Sequence, residues 1–83
     1  METLYVNMSG EQFLDAIDAA ANDLDRDALR RIEAVAFARR DLTWQAAARH
    51  ADNYIVATKQ GNAALAEVCA ESFRKLVPAI RAT

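Results

Sequence analysis

Only three residues in this chain, Gly10, Gly61 and Pro78, break a helix by their own chemistry, whereas nineteen of its eighty-three residues are alanine. Alanine is the best helix former and glycine and proline the worst. A turn-rich β architecture therefore has little room, and an all-α chain is expected. The same alanines limit the core. Hydrophobic residues make up 53% of the sequence, but Leu, Ile, Val and Phe together number only nineteen. Alanine removes little apolar area from water, and a domain this short is marginal in the surface it can bury. Self-association is a reasonable expectation for so thin a core.

The apolar residues recur with helical period. Ser9 opens the first helix. Ser9, Gly10, Glu11 and Gln12 fit a capping box, with Met8 and Phe13 as a hydrophobic staple. Phe13, Leu14, Ile17, Ala20, Ala21 and Leu24 line one face of this helix, which runs to about Asn22. Asp25 is the next N-cap. The second helix runs to about Arg40, with Leu29, Ile32, Val35 and Ala36 facing inward. Residues 41–43 form a short connection in which Thr43 can cap the third helix. In that helix Trp44, Ala47, Ala48, Ala51, Tyr54, Ile55 and Thr58 share a face, and the alanines let a neighbour approach closely. Gly61 suits the left-handed position that ends a helix, and Asn62 can cap the next. Leu65, Val68, Cys69, Ser72, Phe73 and Leu76 form the apolar face of the fourth helix. Glu71 and Lys75 are a favourable pair one turn apart. Pro78 ends or kinks the helix, leaving residues 79–83 as a last turn or a tail.

These elements predict one domain at residues 9–83, a compact four-helix bundle with sequential helices antiparallel. If the chain stays helical through Gly61, the bundle has three helices. Residues 1–8 form an extended N-terminal arm. Within it Leu4, Val6 and Met8 alternate with Tyr5 and Asn7, and a lone strand would need a partner.

The charges exclude some functions. The net charge is −2, which gives no general attraction to nucleic acid or anionic membrane. The first twenty-seven residues are strongly acidic and residues 28–50 basic. Arg30, Arg31, Arg39, Arg40 and Arg49 are candidate anion or nucleic-acid contacts. On a helix, however, adjacent arginines point about 100° apart, so they do not make one stripe. A helix-turn-helix over residues 44–61 would need an apolar residue where Asn53 stands and prefers glycine where Asp52 stands. A continuous helix fits better, and DNA recognition is disfavoured. No signal peptide is expected, since Met1 is followed by Glu2 with no basic region and apolar run. No apolar run approaches the roughly 20 residues that span a bilayer. A soluble cytoplasmic protein is expected.

Chemistry-bearing sets are sparse. His50 is the only histidine and Cys69 the only thiol, so metal-ligand spacing is missing. Cys69 lies between Leu65 and Phe73 and reads as a small core hydrophobe. Glu11, Asp15 and Asp18 are at helical neighbour spacing, but acids favour the first turns of a helix anyway. No nucleophile–base pair, metal set or phosphate-binding glycine loop is visible. The expectation is a non-enzymatic chain without cofactor or metal that binds another protein as an adaptor or inhibitor. Its eight arginines against two lysines, with its alanines, fit a GC-rich bacterial or phage accessory gene. Phe37 and Ala34 fall outside the inward face of the second helix, and Val56 shares a face with Arg49, Asn53 and Gln60. With Leu4, Tyr5 and Val6 of the arm they form a candidate homodimer interface, since aromatics are enriched in interface cores. A helical nucleic-acid-binding regulator and a sensor with a ligand pocket under the Ala47, Ala48 and Ala51 stripe are the alternatives.

Overall fold

The computed structural model describes residues 8–83. Leu4, Tyr5 and Val6 of the expected arm lie outside the described residues. Four helices follow in order: α1 at Gly10–Asn22, α2 at Arg26–Arg39, α3 at Leu42–Lys59 and α4 at Ala63–Arg81. They pack as an all-α four-helix bundle. The chain breaks at Gly61, so α3 and α4 are separate helices.

Each helix begins on a side-chain cap. Ser9 and Gln12 form the expected capping box: the Gln12 N–H donates to Ser9 Oγ (3.1 Å) and the Ser9 N–H to Gln12 Oε1 (2.9 Å). Asp25 accepts from the Ala28 N–H and Asn62 from the Leu65 N–H. The start of α3 differs from expectation. Asp41, not Thr43, is its N-cap, and its Oδ1 accepts from the N–H groups of both Thr43 and Trp44. A carboxylate can satisfy two of the unpaired donors of the first turn. Thr43 is then inside the helix, which starts at Leu42.

The three turns share one design. Leu24 (φ 51°), Arg40 (φ 56°) and Gly61 (φ 74°) occupy the left-handed region. The residue after each closes the preceding helix through its N–H: Asp25 donates to the Ala20 carbonyl, Asp41 to Ala36 and Asn62 to Ala57. This is the Schellman arrangement. The same Asp25, Asp41 and Asn62 then cap the next helix with their side chains. One residue thus ends one helix and starts another, and the connections need no further length. Left-handed backbone suits Gly61, whereas Leu24 and Arg40 adopt it at a cost of about 1–2 kcal/mol each.

The core runs through the middle of the bundle. Phe13, Ile17, Leu29, Ile55, Trp44 and Ile80 are its largest fully buried side chains. The alanine face of α3 is buried, and α3 touches all three other helices. So does α1, whereas α2 and α4 lie on opposite sides without contact. Ile80 corrects the sequence reading. Pro78 does not end α4, which continues to Arg81. The proline removes one hydrogen bond to the Arg74 carbonyl, but its own carbonyl accepts from the Ala82 N–H (3.2 Å). Burial of Ile80 offsets the missing bond, since a fully buried Ile contributes about 1.5–3 kcal/mol.

The close approach of α1 to α4 depends on Gly10. A Cβ there would lie 1.8 Å from the Ile80 carbonyl oxygen, well inside any tolerable contact. At the far end of α1, Asn22 shares a groove with Cys69 and Ala70 of α4. The two helices are therefore antiparallel, and α1 ends level with residue 69. Their lengths do not match. At about 1.5 Å per residue, α1 and α2 span about 20 Å, whereas α3 and α4 span about 28 Å. Arg26 at the start of α2 pairs with Asp52 in the middle of α3. The Gly61 end of the α3–α4 hairpin thus projects roughly 10 Å past the α1–α2 turn.

Candidate functional site

The projecting hairpin is where the α4 face departs from expectation. Leu65 and Val68, read as core from their spacing, are 45% and 60% exposed. Ser72, Phe73 and Leu76 are half-buried, and Cys69 is buried as expected. The reason is angular: α1 packs on the Cys69, Ala70 and Phe73 side of α4, whereas at 100° per residue Leu65 and Val68 point about 140° and 160° away from Ala70. Tight α3–α4 packing persists there through small residues, Ala57 and Ala66, both buried.

A second apolar region surrounds the α2–α3 turn. Phe37 is 51% and Leu42 79% exposed. Phe37 points away from the inward face of α2, as its position in the helix predicts. Ala34 is exposed beside it, and Val56 on α3 is half-buried. Leu42, Leu65 and Val68 were not singled out as exposed apolar residues by sequence reasoning. Leu42 stands outside the α3 stripe at the first helical position, which is the signal that could have flagged it. Nothing local distinguishes Leu65 from a core leucine.

The arginines do not converge. Arg39 sits over Trp44, its guanidinium carbon 3.8 Å from the ring centroid, and donates to the Met8 carbonyl (3.1 Å). Phe13 stacks on Trp44 at 4.1 Å between centroids and 26° between planes. Arg39 is therefore a structural residue that holds the Met8 backbone against the core. Arg30 lies 4.0 Å from Asp27, while Arg31, Arg40 and Arg49 are exposed on separate faces. Arg26, not considered as a site residue, makes the strongest pair. Its Nε and Nη2 donate to the two Asp52 carboxylate oxygens at 2.8 and 3.1 Å. That bidentate bond, with the charge behind it, raises the Arg26 pKa above its ordinary value.

Of the acids of α1, Glu11 bonds Arg81 of α4 (3.0 Å). Asp15 and Asp18 are exposed. On α4, Arg74 bridges Glu67 and Glu71, each at 3.4 Å, so the Glu71 partner is Arg74 rather than Lys75. These pairs are exposed and worth little individually.

Among the described residues no group of three His, Cys, Asp or Glu could hold a metal ion. His50 is half-buried on α3. The Trp44 indole N–H is buried without a hydrogen-bond partner among the described residues. A groove of about 160 Å³ runs between α1, α3 and α4, with Ile17, Ala51, Tyr54, Cys69 and Phe73 in its walls. It reaches one alanine of the α3 stripe but neither Trp44 nor His50. No helix among the described residues is long and apolar enough to cross a membrane. Comparison with protein-family models, with curated proteins and with solved structures finds no match to this chain.

Proposed function

We propose that this chain is a small non-enzymatic interaction module, an adaptor or inhibitor that acts by binding another protein in the cytoplasm and that also self-associates. The observation that carries this reading is the pair of exposed apolar regions, Phe37 with Leu42 and Leu65 with Val68, on a bundle whose interior is otherwise closed. A single exposed apolar residue is ordinary. Pairs of large apolar side chains at the ends of rigid helices offer anchors for a partner, because desolvating such anchors supplies much of the energy of protein association. The scattered arginines give no focused field for nucleic acid, which favours a protein partner over the regulator alternative.

The test is affinity capture from the native host with mass spectrometry, run in parallel on wild type, Leu42→Asp and Val68→Asp. A partner lost from one variant and kept by the other identifies both the protein and the region that holds it. The pair is then reconstituted from purified components. A partner retained equally by both variants would remove this reading of the two regions. Steeply salt-dependent DNA binding would instead favour the nucleic-acid alternative.

A further inference from the structure

We propose that α4 pairs with α4 of a second copy of this chain, antiparallel, across a twofold axis at Ser72. The inference rests on the interaction-module reading and names one partner for it.

The uncovered flank of α4 carries a row of five residues: Leu65, Val68, Ser72, Leu76 and Ala79. At 100° per residue these side chains fall within an arc of about 80°. Leu65, Val68 and Ala79 are exposed, and Ser72 and Leu76 are half-buried. The steps between them are three, four, four and three residues. The row therefore reads the same from either end, with Ser72 at its centre. A twofold interface requires such self-complementarity, because residue i of one copy meets residue j of the other and j meets i. Across an axis at Ser72, Leu65 meets Ala79 of the second copy and Val68 meets Leu76. The largest exposed leucine of the row thus falls opposite its smallest side chain, as knobs-into-holes packing needs. The small polar Ser72 lies on the axis, where two copies of one residue must share space.

Two further features fit this arrangement. The α3–α4 hairpin turns at Gly61, equally far along the chain from Leu42 and Ile80, so Leu42 stands level with the Ala79 end of the row. Leu42, the most exposed leucine in the described structure, is therefore at the height at which Leu65 of the second copy docks. The second feature is charge. Lys75 has no ion pair among the described residues. It borders the row on the same side as Glu71. In the antiparallel pair each Lys75 lies within two residues, about 3 Å along the axis, of the level of Glu71 from the other copy. The contact occurs twice by symmetry. A parallel pairing would set Lys75 beside Lys75 and Leu65 beside Leu65.

Sedimentation equilibrium of the full chain across the micromolar range tests the pairing. Wild type is expected to approach twice the 9.2 kDa chain mass. Val68→Asp is expected to return to a single chain mass with its helical circular dichroism intact. The axis is located by cross-linking in a Cys69→Ala background. Under mild oxidation Ser72→Cys gives a disulfide-linked dimer and Leu65→Cys alone gives little. Combining Leu65→Cys with Ala79→Cys restores the cross-link. A wild type that stays monomeric overturns the pairing, as does a dimer that survives Val68→Asp. Leu65→Cys cross-linking as fast as Ser72→Cys also overturns it. A monomer that still captures a host protein would remove this pairing and leave the interaction reading standing. A Ser72-centred dimer with no other partner would do the reverse.

Discussion

The two halves of α4 have the same helical spacing of apolar residues and opposite fates. In the C-terminal half, Ile80 is fully buried against α1, and Leu76 and Val77 pack on the core. In the N-terminal half, Leu65 and Val68 face solvent. Composition does not explain the difference, since the exposed half has leucine and valine too. The side of the helix does. α1 packs on the Cys69, Ala70 and Phe73 side of α4 and is fixed there by the fit of Gly10 under Ile80. Leu65 and Val68 point about 140° and 160° away from Ala70, and Ala79, on their side of the helix, is exposed as well. An amphipathic pattern states which face of a helix is apolar. How much of that face is buried depends on the side on which its neighbours pack.

The comparison can be broken most directly by truncating one aliphatic side chain in each half. Ile80→Ala should lower stability by about 2–5 kcal/mol through lost burial and a cavity, whereas Leu65→Ala should stay within about 0.5 kcal/mol of wild type. Urea denaturation of dilute protein measures both, and equal midpoint shifts would contradict the contrast. Gly10→Ala probes the same anchor from the other side. The added methyl forces the α1 and α4 backbones apart, with an expected loss of about 1–3 kcal/mol. A variant as stable as wild type would mean that α1 can shift along α4. Ser9→Ala removes the partner of the Gln12 N–H at the end of α1 that is held there. It should cost about 0.5–2 kcal/mol, read as a lowered thermal midpoint.

Arg40→Gly carries the smallest expected effect and the opposite sign. Relief of left-handed backbone is worth about 1–2 kcal/mol, and added freedom of the unfolded chain takes back about 0.4–1 kcal/mol. The balance is a gain of about 0.5–1 kcal/mol. The equivalent change at Leu24 should not stabilise, because Leu24 packs against the core and Arg40 is exposed.

Local chemistry made much of the fold legible. Ser9, Asp25 and Asn62 have the side chains that caps require, and Gly61 the freedom its turn requires. The third helix was mis-started at Thr43 because Asp41 and Thr43 are both competent caps, and only the turn geometry at Arg40 decides between them. The left-handed Leu24 and Arg40 were invisible, since neither residue type favours that region. Ile80 was missed because Pro78 reads as a terminator, although a proline in the last turn removes only one bond. For the candidate site the limit was tertiary. Phe37 stood out by its position on α2, and its half exposure agrees with that. Leu65 and Val68 could not, because their exposure depends on the side of α4 on which its neighbours pack. The arginines are neighbours in the sequence, but their helical spacing already spreads them around the helix, and in space they are dispersed, with Arg39 on the Trp44 ring.

The fit of Gly10 beneath Ile80 also bears on the order in which the chain assembles. The pairs α1–α2, α2–α3 and α3–α4 are joined by turns of a few residues, so each can form as a local hairpin. The α1–α4 contact is different: it closes about seventy residues of chain, an entropic cost of about 4 kcal/mol by the logarithmic rule for loop closure. A barrier of that kind is met late, once the local hairpins have brought the two helices near each other. Ile80 and Gly10 should then belong to the last contacts made on folding and the first lost on unfolding. Their substitutions should accelerate unfolding far more than they slow refolding.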